Sequence, residues 1–480
     1  MLEETAYAYD KASRLISITQ SGVNGSQVTT YAWDAASRLT QKTLPNGIRQ
    51  QLAYDDANRL LSITYKRTDD TVIEQVAYSY DANGQRVVRT TGTTNLKDSP
   101  FNAAYDTANR MTSITLNPGT PSEKTYTLAY DDSGNLAQKQ NAGDANETST
   151  YTWDARNRLV SISATDLGGT SLAGFKYDAL GRRIERTVTQ GATTQRTQYV
   201  YDGIQAIGEL TDGRLATTIL TGLNIDEVIA RTVNVSGGQN PAATKSYLTD
   251  ALGSVLAITN ATQNPELFYS YSAYGETQQL GADPDSPANA AQYTARDNDG
   301  IVGGTGAGSL YYYRARYYDP ALKRFISEDP VALWGGANFY QYVNDSPPNF
   351  SDALGLTAAG ALSLWDLWDS IVQGTSHGWN SGYYSCFFKC MGGGFTAPFV
   401  THLGEKMAIH AAEHVSGPAA RMYYTWKYPK WFKAGGVYSR HYVPNAVNTV
   451  KTWAGRAGVL AVGYLIYSEY ECAKKCMDCL

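Results

Sequence analysis

The first 356 residues contain neither cysteine nor histidine; all five of each lie after them. That part of the chain therefore has no disulfides, no thiolate or imidazole metal ligands and no histidine acid–base chemistry. Phenylalanine (11) and methionine (6) are scarce beside 36 tyrosines, a balance that favours strand over helix. Charged residues make up 18% and the net charge is −5, which argues against a surface that coats nucleic acid along its whole length. No run approaches the ~20 apolar residues that span a bilayer. The opening MLEETAYAYD lacks a basic segment followed by an apolar one, so no signal peptide is expected and any export is by a non-classical route.

At 480 residues the chain is too long for one ordinary domain. Composition divides it after Leu356. The remainder carries eight Lys and three Arg against three Asp and four Glu, net +4, which leaves −9 of the total −5 for the first 356 residues. An acidic scaffold is followed by a basic unit holding every Cys and His.

The scaffold is repetitive. Aromatic-Asp pairs recur at Tyr9-Asp10, Trp33-Asp34, Tyr54-Asp55, Tyr80-Asp81, Tyr105-Asp106, Tyr130-Asp131, Trp153-Asp154, Tyr177-Asp178 and Tyr201-Asp202, 21 to 26 residues apart. Most continue as DKASRL, DAASRL, DDANRL or DALGRRI. Asp can accept a hydrogen bond from the backbone two residues on, and Gly, Asn or Ser tolerates the strained turn position. Apolar residues two apart flank each turn, as in Tyr126, Leu128 and Tyr130, the period of a half-buried strand. A series of hairpins stacked into one long antiparallel sheet is predicted. Nine evenly spaced carboxylates fit turn chemistry better than nine binding sites.

From about residue 203 the period loosens, and residues 277–307, rich in Gly, Asn, Ala and Asp, read as an inserted surface loop. The stretch from Gly308 to Leu356 then reads GSLYYYRARYYDPALKRFISEDPVALWGGANFYQYVNDSPPNFSDALGL. Its tyrosines predict a buried strand. Asp329-Pro330 and Asp352, 23 residues further on, sit in turn-like elements, with glycines and prolines between them that let the chain fold back. Two carboxylates on facing turns can then meet.

This stretch resembles the core of the RHS/YD-repeat family, whose pattern is YYYRARYYDP…GRF…DPxGL…DPxGL. The aromatic-Asp units resemble that family's YD repeats, and YLTDALGSV (247–255) and YSAYGE (271–276) resemble elements that lead into its core. Lys323 and Ala332 stand where the pattern has glycine, and Ala353 where it has proline. The resemblance implies a mainly β fold: a YD-repeat antiparallel shell, a partial cocoon over 1–246, closed by an RHS core over 247–356. It also implies an aspartyl-protease-like pair, here Asp329 and Asp352, that cuts between Leu356 and Thr357. The cut releases a variable C-terminal toxin over 357–480.

No family is evident for residues 357–480. Two helices are predicted, 361–372 and 401–415, making this a small, mainly α domain. The second contains His410, Glu413 and His414 as H-x-x-E-H, the spacing by which inverted zincins hold zinc beside a general base; an alanine-rich surface helix explains it equally. Cys386 and Cys390 are four apart, as are Cys472 and Cys476. Two disulfides, a four-thiolate zinc site or plain buried thiols fit this spacing. Six of the nine tryptophans and two glycine-bearing apolar stretches, 391–400 and 457–467, suit a bilayer interface or an ordinary core. Arg440, His441 and Lys451 would serve a nuclease.

The expected protein is a secreted or surface-delivered toxin used between competing bacteria, whose released effector acts in a target cell, on its membrane or on nucleic acid. Its expected partners are a cognate immunity protein and a delivery apparatus such as type VI secretion. No cofactor is expected for shell or core, and zinc only for the tail. A non-enzymatic YD-repeat adhesion protein is the competing class, and a nuclease or zinc metallohydrolase the competing effector.

Overall fold

The computed structural model describes residues 4–22, 25–92, 96–166, 169–233, 243–281, 288–299, 310–332 and 337–356, with the backbone of 359–360. The chain divides into two compact units, Met1–Asp369 and Ser370–Leu480, and the second lies outside the described residues. Among the described residues there is no α-helix, only antiparallel strands and short 3-10 turns. No described helix is long and apolar enough to cross a membrane.

The repeats fold into two sheets in which each strand pairs with its neighbours in sequence. Eight strands run from Glu4–Tyr9 to Arg86–Thr91, and sixteen from Phe101–Tyr105 to Thr277–Leu280. One turn design produces both. In the turn at Asp55, Oδ1 accepts the backbone N–H of Ala57 (3.0 Å) and Arg59 (2.8 Å), while Oδ2 accepts Nε of Arg59 (2.7 Å). The residue between, Asn58, sits at φ 62°, a left-handed position that Asn tolerates. Ser, Asn or Gly occupies the same place at residues 13, 37, 84, 109, 134, 157 and 181. The turn persists beyond the obvious repeats: Asp250 binds the N–H of Leu252 and Ser254 at 2.9 Å, with Gly253 at φ 86°.

Successive turns are stitched together. The Arg59 guanidinium lies 4.9 Å over the Tyr80 ring, and the Tyr80 hydroxyl donates to the Leu60 carbonyl at 2.7 Å. Arg158 and Tyr177 repeat this arrangement with Leu159 (4.9 and 2.7 Å), and Trp153 Nε1 performs the donor role toward Leu136 at 2.8 Å. The aromatic and the basic residue of the motif are thus partners across adjacent repeats.

The strand faces then decide the packing. Ile18, Ile63, Val76 and Tyr78 of the eight-stranded sheet bury against Leu220, Ala230, Leu248 and Leu256 of the larger one. Tyr65 and Tyr78 bind backbone across that junction, Tyr65 Oη to the Thr249 carbonyl at 2.8 Å and the Ala251 N–H to Tyr78 Oη at 2.9 Å. The other end of the large sheet (Ile114, Leu136, Ile162, Phe175) receives Leu310, Tyr312, Tyr317, Leu322 and Ile326. Tyr312 and Tyr317 belong to, and the other three lie next to or between, strands of a four-stranded sheet of Asp297–Asn298, Tyr311–Tyr313, Arg316–Asp319 and Arg324–Phe325. The strand Ala243–Thr249 runs across residues 246 and 247, and the large sheet continues to Leu280.

The surface loop expected over 277–307 is corrected by the structure. Thr277–Leu280 is a strand, and Asn289, Gln292, Thr294, Arg296 and Asp299 are buried. Tyr293 stacks among Tyr271, Tyr311 and Tyr342 with ring centroids 5.7 to 6.4 Å apart. Gly- and Asn-rich composition marks unusual backbone, here Thr294 and Ala295 at φ 47° and 55°, and does not by itself require exposure. Residues 282–287 and 300–307 lie outside the described residues.

Candidate functional site

Both strands of the hairpin Tyr311–Tyr313/Arg316–Asp319 are buried, and tyrosine makes this possible because each ring fills volume while its hydroxyl finds a partner. An arginine in such a strand must be paired. Arg316, 2% exposed, stands between the two expected carboxylates: its Nη2 lies 2.9 Å from Asp329 Oδ2 and 3.3 Å from Asp352 Oδ2. Its guanidinium stacks 3.6 Å from the Phe325 ring centre, and Nη1 binds the Phe339 carbonyl at 3.1 Å. Asp329 and Asp352 are 6% and 2% exposed.

Each carboxylate also organises its own turn. Asp329 Oδ1 accepts the Val331 N–H at 2.9 Å, and Asp352 Oδ1 accepts the Leu356 N–H at 3.0 Å. Arg316 Nε donates to the Gly355 carbonyl at 2.5 Å, and the Ala315 N–H to the Leu354 carbonyl at 3.2 Å. Gly355, at φ 70°, presses so closely on the Tyr313 carbonyl that any side chain there would collide with backbone. Leu356 is therefore held by the residues on either side of the carboxylate pair. Beyond it, the backbone of Ala359–Gly360 pairs with Phe350–Ser351.

The electrostatics single out Asp329. Burial pushes the Asp329 carboxyl up to about 6, helped by the Asp352 charge and opposed by Arg316. Burial also draws the Arg316 guanidinium below its ordinary value, against the pull of both carboxylates. An acid whose proton is held up to about pH 6, a second carboxylate and a cation between them are groups of the kind general acid–base chemistry uses.

A reading of the sequence for carboxylates alone passes over Arg316, although an arginine inside YYYRARYYDP is itself a signal that a buried charge needs partners. The family's glycine positions are informative in the same way. Lys323 and Ala332 adopt φ 58° and 51°, so the left-handed backbone persists without glycine. Lys323 is additionally fixed by an ion pair with Glu276 (3.1 Å), both 7% exposed. Ala353, at the proline position, offers its carbonyl to Arg314 Nη1.

Thr357, His410, Glu413, His414, Cys386, Cys390, Cys472 and Cys476 lie outside the described residues. Among the described residues no group of three His, Cys, Asp or Glu is placed to hold a metal.

Comparison with known proteins follows the same division. The RHS repeat family matches residues 9–49 and 33–71, and the teneurin YD-shell family residues 71–216. The double-stranded DNA deaminase toxin A of Burkholderia cenocepacia is 26% identical over 335 residues, 62% of this chain and 22% of its own length. The tRNA nuclease WapA of Bacillus subtilis is 28% identical over 356 residues (72% and 13%), and the toxin protein Tse5 of Pseudomonas aeruginosa 27% over 258 (47% and 18%). The chain thus spans 13% to 22% of the lengths of these relatives. Among solved structures, the TcdB2-TccC3-Cdc42 complex superposes with a TM-score of 0.54 at 20% identity, over 73% of this chain and 20% of the other. The Photorhabdus luminescens Tc holotoxin pore gives 0.54 at 19% identity, over 74% and 20%. The repeated turn and most of the sheets it builds fall where these models match: residues 9–71 are similar to RHS repeats and residues 71–216 to a teneurin YD-shell.

Proposed function

We propose that this chain is a polymorphic toxin whose core cuts itself after Leu356, freeing residues 357–480 as the effector. The observation that carries this reading is the meeting of Asp329 and Asp352 on one buried guanidinium beside the backbone of Gly355 and Leu356. In the reaction, water adds to the Leu356 carbonyl carbon, giving one proton to the ionised Asp352 while protonated Asp329 supplies one to the carbonyl oxygen. Collapse of the resulting diol breaks the C–N bond: Asp352 gives its proton to the nitrogen of Thr357, one diol hydroxyl returns a proton to Asp329, and the acid left at Leu356 loses its own to the new amine. Arg316 positions both acids and holds the neighbouring carbonyl.

The effector's target has two supports that point apart. The relatives' names, a DNA deaminase and a tRNA nuclease, favour nucleic acid. The tail's six tryptophans, thiol pairs and apolar stretches favour a lipid-bounded, oxidising compartment. Either target requires delivery into a competitor and an immunity protein in the producer. Purified protein run under denaturing conditions is expected to yield a fragment beginning at Thr357, and Asp352→Asn to remain whole. Wild type that stays full length overturns the proposal. Expression of 357–480 in the cytoplasm and in the periplasm then separates loss of RNA or DNA from loss of membrane potential.

A further inference from the structure

We propose that Asp226, in the wall of the large sheet, and Arg314, at the tip of the core hairpin, are positioning residues for this cleavage. The inference rests on the reading of Asp329 and Asp352 as the cutting pair and adds a condition to it: the site is complete only when the sheet and the core have docked.

Four observations meet here. Arg314 sits at φ 59° in a two-residue hairpin turn, a conformation that favours glycine and costs an L-residue roughly 1–2 kcal/mol. An arginine retained there needs a reason in its side chain. That side chain is almost fully engaged: Nη2 and Nη1 reach Asp226 at 2.6 and 3.1 Å, Nε donates to the Ile204 carbonyl at 3.3 Å, and Nη1 also binds the Ala353 carbonyl. Ala353 directly follows Asp352, so the guanidinium holds the peptide that carries one of the two acids.

Asp226 is in turn fixed from its own side. Its backbone is also left-handed, at φ 64°, and its N–H donates to Gln205 Oε1 at 3.0 Å. Its carboxylate accepts Arg296 as well as Arg314, so one buried anion faces two cations. The resulting order is Gln205, Asp226, Arg314, Ala353, Asp352: a line from two turns of the large sheet to the carboxylate. Arg316 holds Asp352 and Gly355 from the other end of the same turn. Without Arg314 that turn keeps Arg316 and the Ala315 N–H bond to the Leu354 carbonyl but loses its hold on the Ala353 carbonyl, and small displacements of a reacting group are costly in rate.

The test follows cleavage of the full 480-residue chain during cell-free synthesis, as the rate at which the C-terminal fragment appears. Arg314→Gly is the informative variant, because glycine relieves the strained turn while removing the guanidinium and Asp226 keeps Arg296 as a partner. It is expected to fold with a modest loss in melting midpoint and to cleave roughly ten- to a hundredfold more slowly. Arg314→Lys, one ammonium in place of the fork, is expected to fall between. Asp226→Asn is expected to slow cleavage similarly, and Asp226→Glu to recover part of the rate. Arg314→Gly or Asp226→Asn cutting at the wild-type rate, beside an inert Asp352→Asn, overturns this inference alone. Wild type that never cuts removes the cleavage reading and this inference with it.

Discussion

At the scale of the residue, the backbone conformations at 323 and 332 give opposite predictions for one substitution. Ala332 is left-handed, and its N–H closes the turn on the Asp329 carbonyl at 2.9 Å. Ala332→Gly removes a cost of about 1 kcal/mol and is expected to raise the melting midpoint slightly. Lys323→Gly relieves the same backbone but abandons Glu276 in a buried site, where breaking a pair costs about 3–5 kcal/mol, so a clear loss of stability is expected. Asp329 supplies a second prediction. Its folded value near 6 lies above the usual value of about 3.9, so its protonation favours the folded state. That contribution is present below pH 4 and is lost as pH rises through 6, by up to about 3 kcal/mol. Urea titrations of wild type and Asp329→Asn between pH 4 and 7 should diverge in that window. The cleavage rate should fall over the same range if Asp329 is the acid; a rate that rises through pH 6 would remove it from that role.

At the scale of the element, the hairpin unit is held by a donor reaching back to the previous turn. Tyr80→Phe keeps the ring under Arg59 and deletes the bond to the Leu60 carbonyl. A loss of about 1 kcal/mol in chemical denaturation is expected. The joint between sheet and core is stiffer. Lys139 Nζ meets Asp319 Oδ2 at 2.9 Å with side chains 8% and 0% exposed, and Asp319 Oδ1 also accepts the N–H of Ala321 (2.9 Å) and Leu322 (3.1 Å). The Asp319 charge holds the lysine above its ordinary value although burial pulls the other way. Lys139→Met should cost about 3–5 kcal/mol, and the double variant with Asp319→Asn should recover much of it. Equal losses in the single and double variants would show that the lysine acts through packing alone.

At the scale of the molecule, two families of carboxylate respond to acid in opposite senses. The turn aspartates Asp10, Asp34 and Asp55 are held below the usual range, first by the backbone N–H of the arginine four residues on. Their contribution is complete above the unfolded value and is lost as pH falls through the lower folded one. Asp106 and Asp154 are lowered too, so the losses accumulate over these turns. Circular dichroism should show the strands melting cooperatively below about pH 4, after Asp329 has already taken its proton. Strands that survive to pH 2 would show that the turns do not depend on ionised aspartate.

The strands, their turns and their order were readable because each is decided locally. Period-two apolar residues, an Asp that closes its own turn and Ser, Asn or Gly at the left-handed position act within a few residues of one another, and nine repetitions made the pattern unmistakable. The two carboxylates were readable too, since prolines and glycines mark the turns that bear them. What held those carboxylates together was not. Arg316 is 13 residues from Asp329 and 36 from Asp352, and Asp226 is 88 from Arg314. No local pattern records which buried charge will answer which; that follows from how sheet and core pack, because a charge withdrawn from water takes whatever partner the packing brings within reach. The same reason explains the burial of Asn289, of residues 292–296 and of Asp299, where composition announced an irregular backbone and only the surrounding tyrosines determined that it would be inside.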